Sequence, residues 1–294
     1  MGFMIRTVLV CVLVVFAGSG CQHFHIGGGD REAKNRPAVR TVRVAGIVLK
    51  WVPADKETNY KRAEPLIREA AAQGADIVMT TECFLDGYAI RNKKIPLDEW
   101  RALGEVIPGG EYLTKLQRLS DELDIHLVAG MLERDGDQTH NTAVMIDPDG
   151  KLIGKYRKQS LGHEKPRNTP GDASPVFDTA YGKIGLMICA DRREPELIKR
   201  LGDNGAELIL CPSGGMWGPV KNDHHVQARS RENQVPIVFT HPIEFLVTDV
   251  DGEILDRRFA GDQMDVRRGQ IVAVENAQSA AIFNSPARTR QKVP

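Results

Sequence analysis

The sequence predicts an α/β fold in which two mixed β-sheets pack together and helices cover the outer faces, in layers α/β/β/α. Three observations carry this. Apolar runs of strand length alternate with stretches of helical spacing. Hairpin signals interrupt that alternation, which a purely parallel sheet does not contain. The roughly 250 residues that follow the leader suffice for one large domain with a full core.

The elements follow in order. Arg6 precedes an apolar run from Val8 to Phe16, then Ala17-Gly18-Ser19-Gly20 and Cys21. This is the layout of a secretory signal over residues 1–20, too short to span a bilayer. A cysteine directly after small residues resembles a bacterial lipobox, although Gly18 stands where leucine is usual. The expectation is export, with Cys21 lipidated and the chain held to a membrane surface by acyl chains; plain secretion and an uncleaved anchor are the alternatives. Residues 21–40 are polar, carry Gly27-Gly28-Gly29 and read as a flexible tether. The folded domain is expected over 41–294.

Val42–Leu49 reads as a strand, Tyr60–Ala72 as a helix ended by Gly74, and Ala75–Thr80 as a second strand. Tyr112–Leu123 is helical and leads into strand Ile125–Met131. Thr142–Ile146 pairs with Leu152–Tyr156 across Asp147-Pro148-Asp149-Gly150, a strong turn signal. Val176-Phe177 and Lys183–Ile188 make another pair around Tyr181-Gly182. A helix over 195–202, strand Leu208–Leu210, a helix near 221–233 and strand Ile237–Phe239 follow. A hairpin turns at Asp249–Gly252, and Ile271–Val274 is the last predicted strand.

Composition excludes several classes of function. Lys plus Arg and Asp plus Glu are both 39, so net charge gives no reason to expect nucleic acid as a partner. Of five cysteines, Cys11 and Cys21 lie in or next to the leader. Cys83, Cys189 and Cys211 do not make a disulfide framework. No spacing suggests a zinc site; His224-His225 reads as helix surface, and no metal is expected.

Three reactive side chains sit just past predicted strand ends: Glu82, Lys158 and Cys189. Crevices form at the carboxyl ends of strands in α/β sheets. Cys189 stands at a strand-to-helix turn, where the first helical N–H groups favour negative charge and lower a thiol pKa. As a set, Cys189 is a nucleophile, Glu82 a general base and Lys158 an oxyanion donor, together with a backbone N–H near Cys189 or Ala190. Taken singly, each has a bland reading: a buried small cysteine, a solvated glutamate, a charged strand edge.

Together these residues resemble the nitrilase, or carbon–nitrogen hydrolase, family over about Thr41–Asn276. Cys189-x-Asp191-x-Arg193-x-Pro195-Glu196 is similar to its nucleophile signature, Tyr156-Arg157-Lys158 to its lysine motif, and Thr81-Glu82-Cys83-Phe84 to its glutamate motif. Asn141-Thr142-Ala143 and Arg229–Asn233 match two further stretches. Five matches in order are specific where one alone is not. The resemblance implies an αββα sandwich, a Glu82–Lys158–Cys189 triad, a thioester intermediate, release of ammonia or an amine, no cofactor, and a homo-oligomer.

It also implies a second glutamate after the lysine; Glu164 is the candidate, with loop surface as the alternative. Asp191, Arg193 and Glu196 are expected to buttress the turn, and Glu232 to pair with an arginine. Ser213–Gly218 should line the pocket, with Trp217 against the acyl part of a substrate or as a lid or core residue. Cys83 and Cys211 are expected to serve packing. The chain departs from the family pattern at Ala190, Glu194, Thr240-His241-Pro242 and Glu244-Phe245-Leu246. The expected substrate is a small amide or N-carbamoyl compound. The alternatives are a nitrile, or a silent binding lipoprotein of the same fold. Acyl transfer to another acceptor is a third reading, which in lipid-modifying relatives comes with several spanning helices.

Overall fold

A computed structural model of the 294-residue chain describes residues 11–16, 40–215, 220–259 and 278–285. Cys21, the tether over 22–39, Trp217 and the predicted strand Ile271–Val274 lie outside the described residues. So does most of the leader, whose Cys11–Phe16 (β1) forms a strand.

Strand β2 (Arg40–Leu49) lies antiparallel to β1 and to β13 (Gln278–Ser285). One sheet has the order β3-β4-β5-β6, built from Ile77–Met79, His126–Asp135, Gln138–Ile146 and Leu152–Arg157. The β3–β4 pair is parallel and the rest antiparallel. The other sheet has the order β12-β11-β10-β9-β8-β7. Its strands are β7 (Val176–Thr179), β8 (Gly182–Leu186), β9 (Leu208–Pro212), β10 (Ile237–His241), β11 (Glu244–Thr248) and β12 (Ile254–Phe259). Strands β8, β9 and β10 are parallel, and hairpins flank them.

Side-chain alternation makes the layers. In β9, Leu208 and Leu210 enter the core between the sheets, beside Val128, Met145, Ile184 and Phe245. Ile209 and Cys211 face the other way, with Leu197, Ile198 and Leu201 of helix α4 (Pro195–Asp203) and Val226 of α5 (Asp223–Asn233). On the far side, Leu127, Ala129 and Val144 pack with Leu66 and Ile67 of α1 (Lys56–Ala72) and Leu113 and Leu116 of α3 (Glu111–Leu123). The α/β/β/α layering expected from the sequence is the observed one.

Differences from the predicted elements have local causes. Helix α1 begins a turn before Tyr60 because Asp55 caps it, accepting from the Thr58 N–H at 2.9 Å; its polar first turn shows no apolar periodicity. Helix α2 (Leu97–Leu103) went unpredicted, since a seven-residue helix burying only Trp100 leaves no periodic trace. The β4–β5 hairpin was likewise missed; it turns at Gly136, φ 59°.

At Gly154 of β6 the absent side chain leaves room for Phe177 of β7. A Cβ on Gly154 would lie 2.0 Å from the Phe177 ring. Gly154→Ala is therefore expected to lower stability by about 2 kcal/mol through overpacking, read as a lower denaturant midpoint. An unchanged midpoint would show that the sheets separate easily here.

Candidate active site

Four buried groups meet at the strand ends. The β3 strand stops at Met79, and the next residues fold back against β4. Thr80 Oγ1 accepts from the Gly130 N–H at 3.0 Å. A Cβ on Gly130 would come 2.5 Å from the Thr81 carbonyl, so glycine is what admits this loop. The Glu82 N–H donates to the Ser213 carbonyl at 3.2 Å, tying the loop to the end of β9. Asp86 finishes the turn, accepting from the Leu132 and Ala89 N–H groups at 3.0 and 3.2 Å; burial pushes its carboxyl up to about 7.

Lys158 follows β6 and continues its pairing, donating its N–H to the Asn141 carbonyl at 2.8 Å. The ammonium is 1% exposed. It donates to Glu82 Oε1 at 2.6 Å and to Glu164 Oε1. Asn141 Nδ2 bridges the same carboxylates, at 2.8 Å to Glu82 and 3.1 Å to Glu164, and Asn168 donates to Glu164 Oε2 at 2.9 Å. Burial works against the lysine charge, but the Glu82 and Glu164 carboxylates outweigh it and hold the ammonium well above the usual lysine range. Glu82 Oε2 is buried without a hydrogen-bond partner. A Cβ on Gly214 would sit 2.9 Å from that oxygen.

Cys189 opens a short 3₁₀ helix, Cys189–Arg193, in the left-handed region at φ 47°. A non-glycine residue held there carries strain of order 1–3 kcal/mol. The strain is held by Asp191, whose carboxylate accepts from Tyr156 OH (2.7 Å), Ile188 N–H (3.0 Å), Gln159 N–H (3.2 Å) and Ser160 N–H (2.7 Å). Arg192 donates to the Cys189 carbonyl and lies 3.5 Å from Cys189 Sγ, while the thiol points at the Gly214 carbonyl, also 3.5 Å away.

Contrary to the expectation from its turn, the helix start does not leave Cys189 with a lowered pKa. The helix is one turn of 3₁₀ geometry, and burial raises the thiol, reinforced by the Glu82 carboxylate; Lys158, Arg192 and the Gly214 contact pull down without reversing this. The thiol needs a base.

A cavity of about 650 Å³ opens onto Cys189, Ala190 and Lys158, with Tyr88, His163 and Gly214 on its wall. Arg91, Lys93 and Arg193 line it as well. Lys93 Nζ donates to the His163 carbonyl at 2.8 Å, and Tyr88 OH lies 3.4 Å from His163 Nε2. Arg193 lines the cavity, and Asp191 supplies buttressing bonds to the turn. Glu164 is buried, not loop surface. Gly214 and Gly215 line the cavity as expected of their segment. Cys83 and Cys211 are packed in apolar clusters, and Glu232 pairs with Arg229 at 2.7 Å. His224 is exposed and His225 half-buried at the start of α5, and no metal-binding cluster occurs among the described residues. Nor, among them, is any helix long and apolar enough to cross a membrane.

Sequence reasoning missed Arg192, Tyr88 and His163. It saw Asn141 only as part of a motif, although the side chain bridges two carboxylates.

Residues 41–271 match the family model described as carbon-nitrogen hydrolase. The chain is 38% identical over 174 residues to a nitrilase of Pyrococcus abyssi, covering 58% of this chain and 64% of that protein. It is 35% identical over 215 residues to the omega-amidase NIT2 of Mus musculus, covering 69% of this chain and 75% of that protein. Its fold is similar to the crystal structure of Saccharomyces cerevisiae Nit3, a member of branch 10 of the nitrilase superfamily. The TM-score is 0.68 at 27% identity, covering 78% of this chain and 93% of that one. Fold, site and likeness agree: the chain belongs to the carbon-nitrogen hydrolase family and is a hydrolase of carbon–nitrogen bonds.

Proposed function

We propose that the protein hydrolyses the C–N bond of a small amide bearing a negatively charged group, through a thioester on Cys189. The observation that carries this reading is the unpartnered Glu82 Oε2 in a site whose other carboxylate oxygens are engaged by Lys158, Asn141 and Asn168. A base with one oxygen fixed and one open has a place for a proton.

In this reading Glu82 takes the Cys189 proton as sulfur attacks the amide carbon. The tetrahedral oxyanion accepts from Lys158 and from the Ala190 N–H. Glu82 passes its proton to the amide nitrogen, the C–N bond breaks, and ammonia or an amine leaves. Water, deprotonated by Glu82, then attacks the thioester, and the thiol is restored. Lys158, held cationic by two carboxylates, serves both tetrahedral intermediates. Glu164 and Asn141 fix Lys158 and Glu82.

The charge on the substrate is supported by Arg91, Lys93 and Arg193, which line the same cavity as Lys158, itself paired with two carboxylates. The omega-amidase relatives favour amide over nitrile, and the nitrilase relative keeps nitriles in the test. A panel of amides, N-carbamoyl acids and nitriles, each with and without a carboxylate, is assayed for ammonia release. Carboxylate-bearing amides are expected to turn over fastest. Turnover of nitriles alone would overturn the reading. Lys93→Ala is expected to raise KM for the anionic amide about tenfold and to leave kcat near wild type, as loss of a charged hydrogen bond does. Equal KM values for neutral and anionic amides in wild type would remove the charge from the proposal. Export with a lipid on Cys21 remains part of the proposal, supported by the leader-like residues 1–20.

A further inference from the structure

We infer that Arg192 is a catalytic residue of this hydrolase: its guanidinium contacts the reacting sulfur and favours the charged form of Cys189 during attack. The inference rests on Cys189 being the nucleophile. Arg192 stands between Asp191 and Arg193, at a position that the nucleophile signature leaves unspecified, and neither the motif nor the triad gives it a role.

The side chain is 4% exposed and tightly held. Nη1 donates to the Cys189 carbonyl and lies 3.5 Å from Cys189 Sγ. Nη2 donates to Asn222 Oδ1, just before α5. The guanidinium carbon stands 5.6 Å from the centroid of the Phe239 ring, on β10. These contacts fix a permanent cation against the nucleophile. They also anchor the carbonyl of a residue in left-handed backbone.

The chemistry is helped by such a group. Once Glu82 holds the proton, sulfur carries negative charge in a buried site that also contains the Glu164 carboxylate. Lys158 donates to both glutamates, whereas Arg192 reaches the sulfur itself. The titratable groups that act on the thiol besides Arg192 are Glu82, Lys158, Tyr88 and Cys211, and His241 and His225 face Arg192. Tyr88 and Cys211 are pushed up by burial, and His241 is pushed down to about 4 by burial and by Arg192, so all three stay neutral near pH 7. The cations that act on the thiol are Lys158 and Arg192.

The test is the rate of Cys189 alkylation by iodoacetamide between about pH 7 and pH 11.5, followed by peptide mass analysis. Wild type, Arg192→Met and Arg192→Lys are compared. Arg192→Met is expected to move the titration midpoint up by about one pH unit or more, and to slow alkylation near neutral pH about tenfold. Arg192→Lys is expected to restore most of both. If Arg192→Met does not fold, Asn222→Ala, which frees the outer end of the guanidinium, is expected to shift the midpoint in the same direction by less. A wild-type midpoint in the folded variant, even with reduced turnover, would make Arg192 a structural anchor only and overturn the inference. Because alkylation reads the sulfur without turnover, failure here is distinguishable from failure of the nucleophile reading, which would appear as wild-type Cys189 that turnover does not need.

Discussion

Cys189→Ala is expected to reduce kcat/KM by at least about 10⁴-fold while leaving the fold intact. The substitution removes one atom from a residue that is 8% exposed and whose thiol makes two long contacts, to the Gly214 carbonyl and to Arg192 Nη1. Alanine in left-handed backbone is strained as cysteine is, and Asp191 still ties the turn to Tyr156 and Ser160. Unfolding should therefore stay within about 1 kcal/mol of wild type. With no sulfur there is no covalent intermediate, and a bound amide meets only Glu82 and water. Steady-state ammonia release and a denaturant melt check the two halves. Activity within tenfold of wild type would remove Cys189 from the mechanism.

Lys158→Met is expected to damage both rate and stability. The oxyanion loses a charged donor, which costs on the order of 100-fold or more in rate. The fold loses the cation between Glu82 and Glu164, both fully buried. Removing one member of a buried ion pair costs about 3–5 kcal/mol, because the remaining charge has no compensation. Asn141 and Asn168 still donate to these carboxylates and soften that loss. The expected result is thus a destabilised but folded protein with little turnover. Wild-type rate in a folded Lys158→Met would contradict the oxyanion role, and wild-type stability would contradict the ion-pair geometry.

Much of this was legible in the chain itself. The strands are short, apolar and bounded by glycine, proline or Asp-Gly turns, so period and punctuation gave their order and layers. Glu82, Lys158 and Cys189 stood out because each follows a strand end, and the fold pairs Glu82 with Lys158 and opens one cavity onto Lys158 and Cys189. Glu164 was ambiguous for a physical reason: nothing local marks a glutamate in Leu161-Gly162-His163-Glu164 as buried, and only the distant Lys158 and Asn168 make it so. Arg192 was illegible because sequence favours a solvated arginine, whereas Asn222 and Phe239, far along the chain, form its pocket. The thiol was misread because helix-start chemistry was applied to what folds as one 3₁₀ turn under heavy burial, where desolvation wins. The cations around the cavity come from separate segments, and no spacing rule joins Arg91 and Lys93 to Arg193.

The central claim is that Cys189 carries the acyl group between the two halves of the reaction. The most direct measurement is acid quench during steady-state turnover of an amide, followed by peptide mass analysis. The account predicts one acyl increment on the peptide containing Cys189, lost on hydroxylamine treatment and absent from Cys189→Ala. Turnover with the acyl group on another residue, or with no acyl-enzyme at any quench time under conditions that trap thioesters, would contradict it.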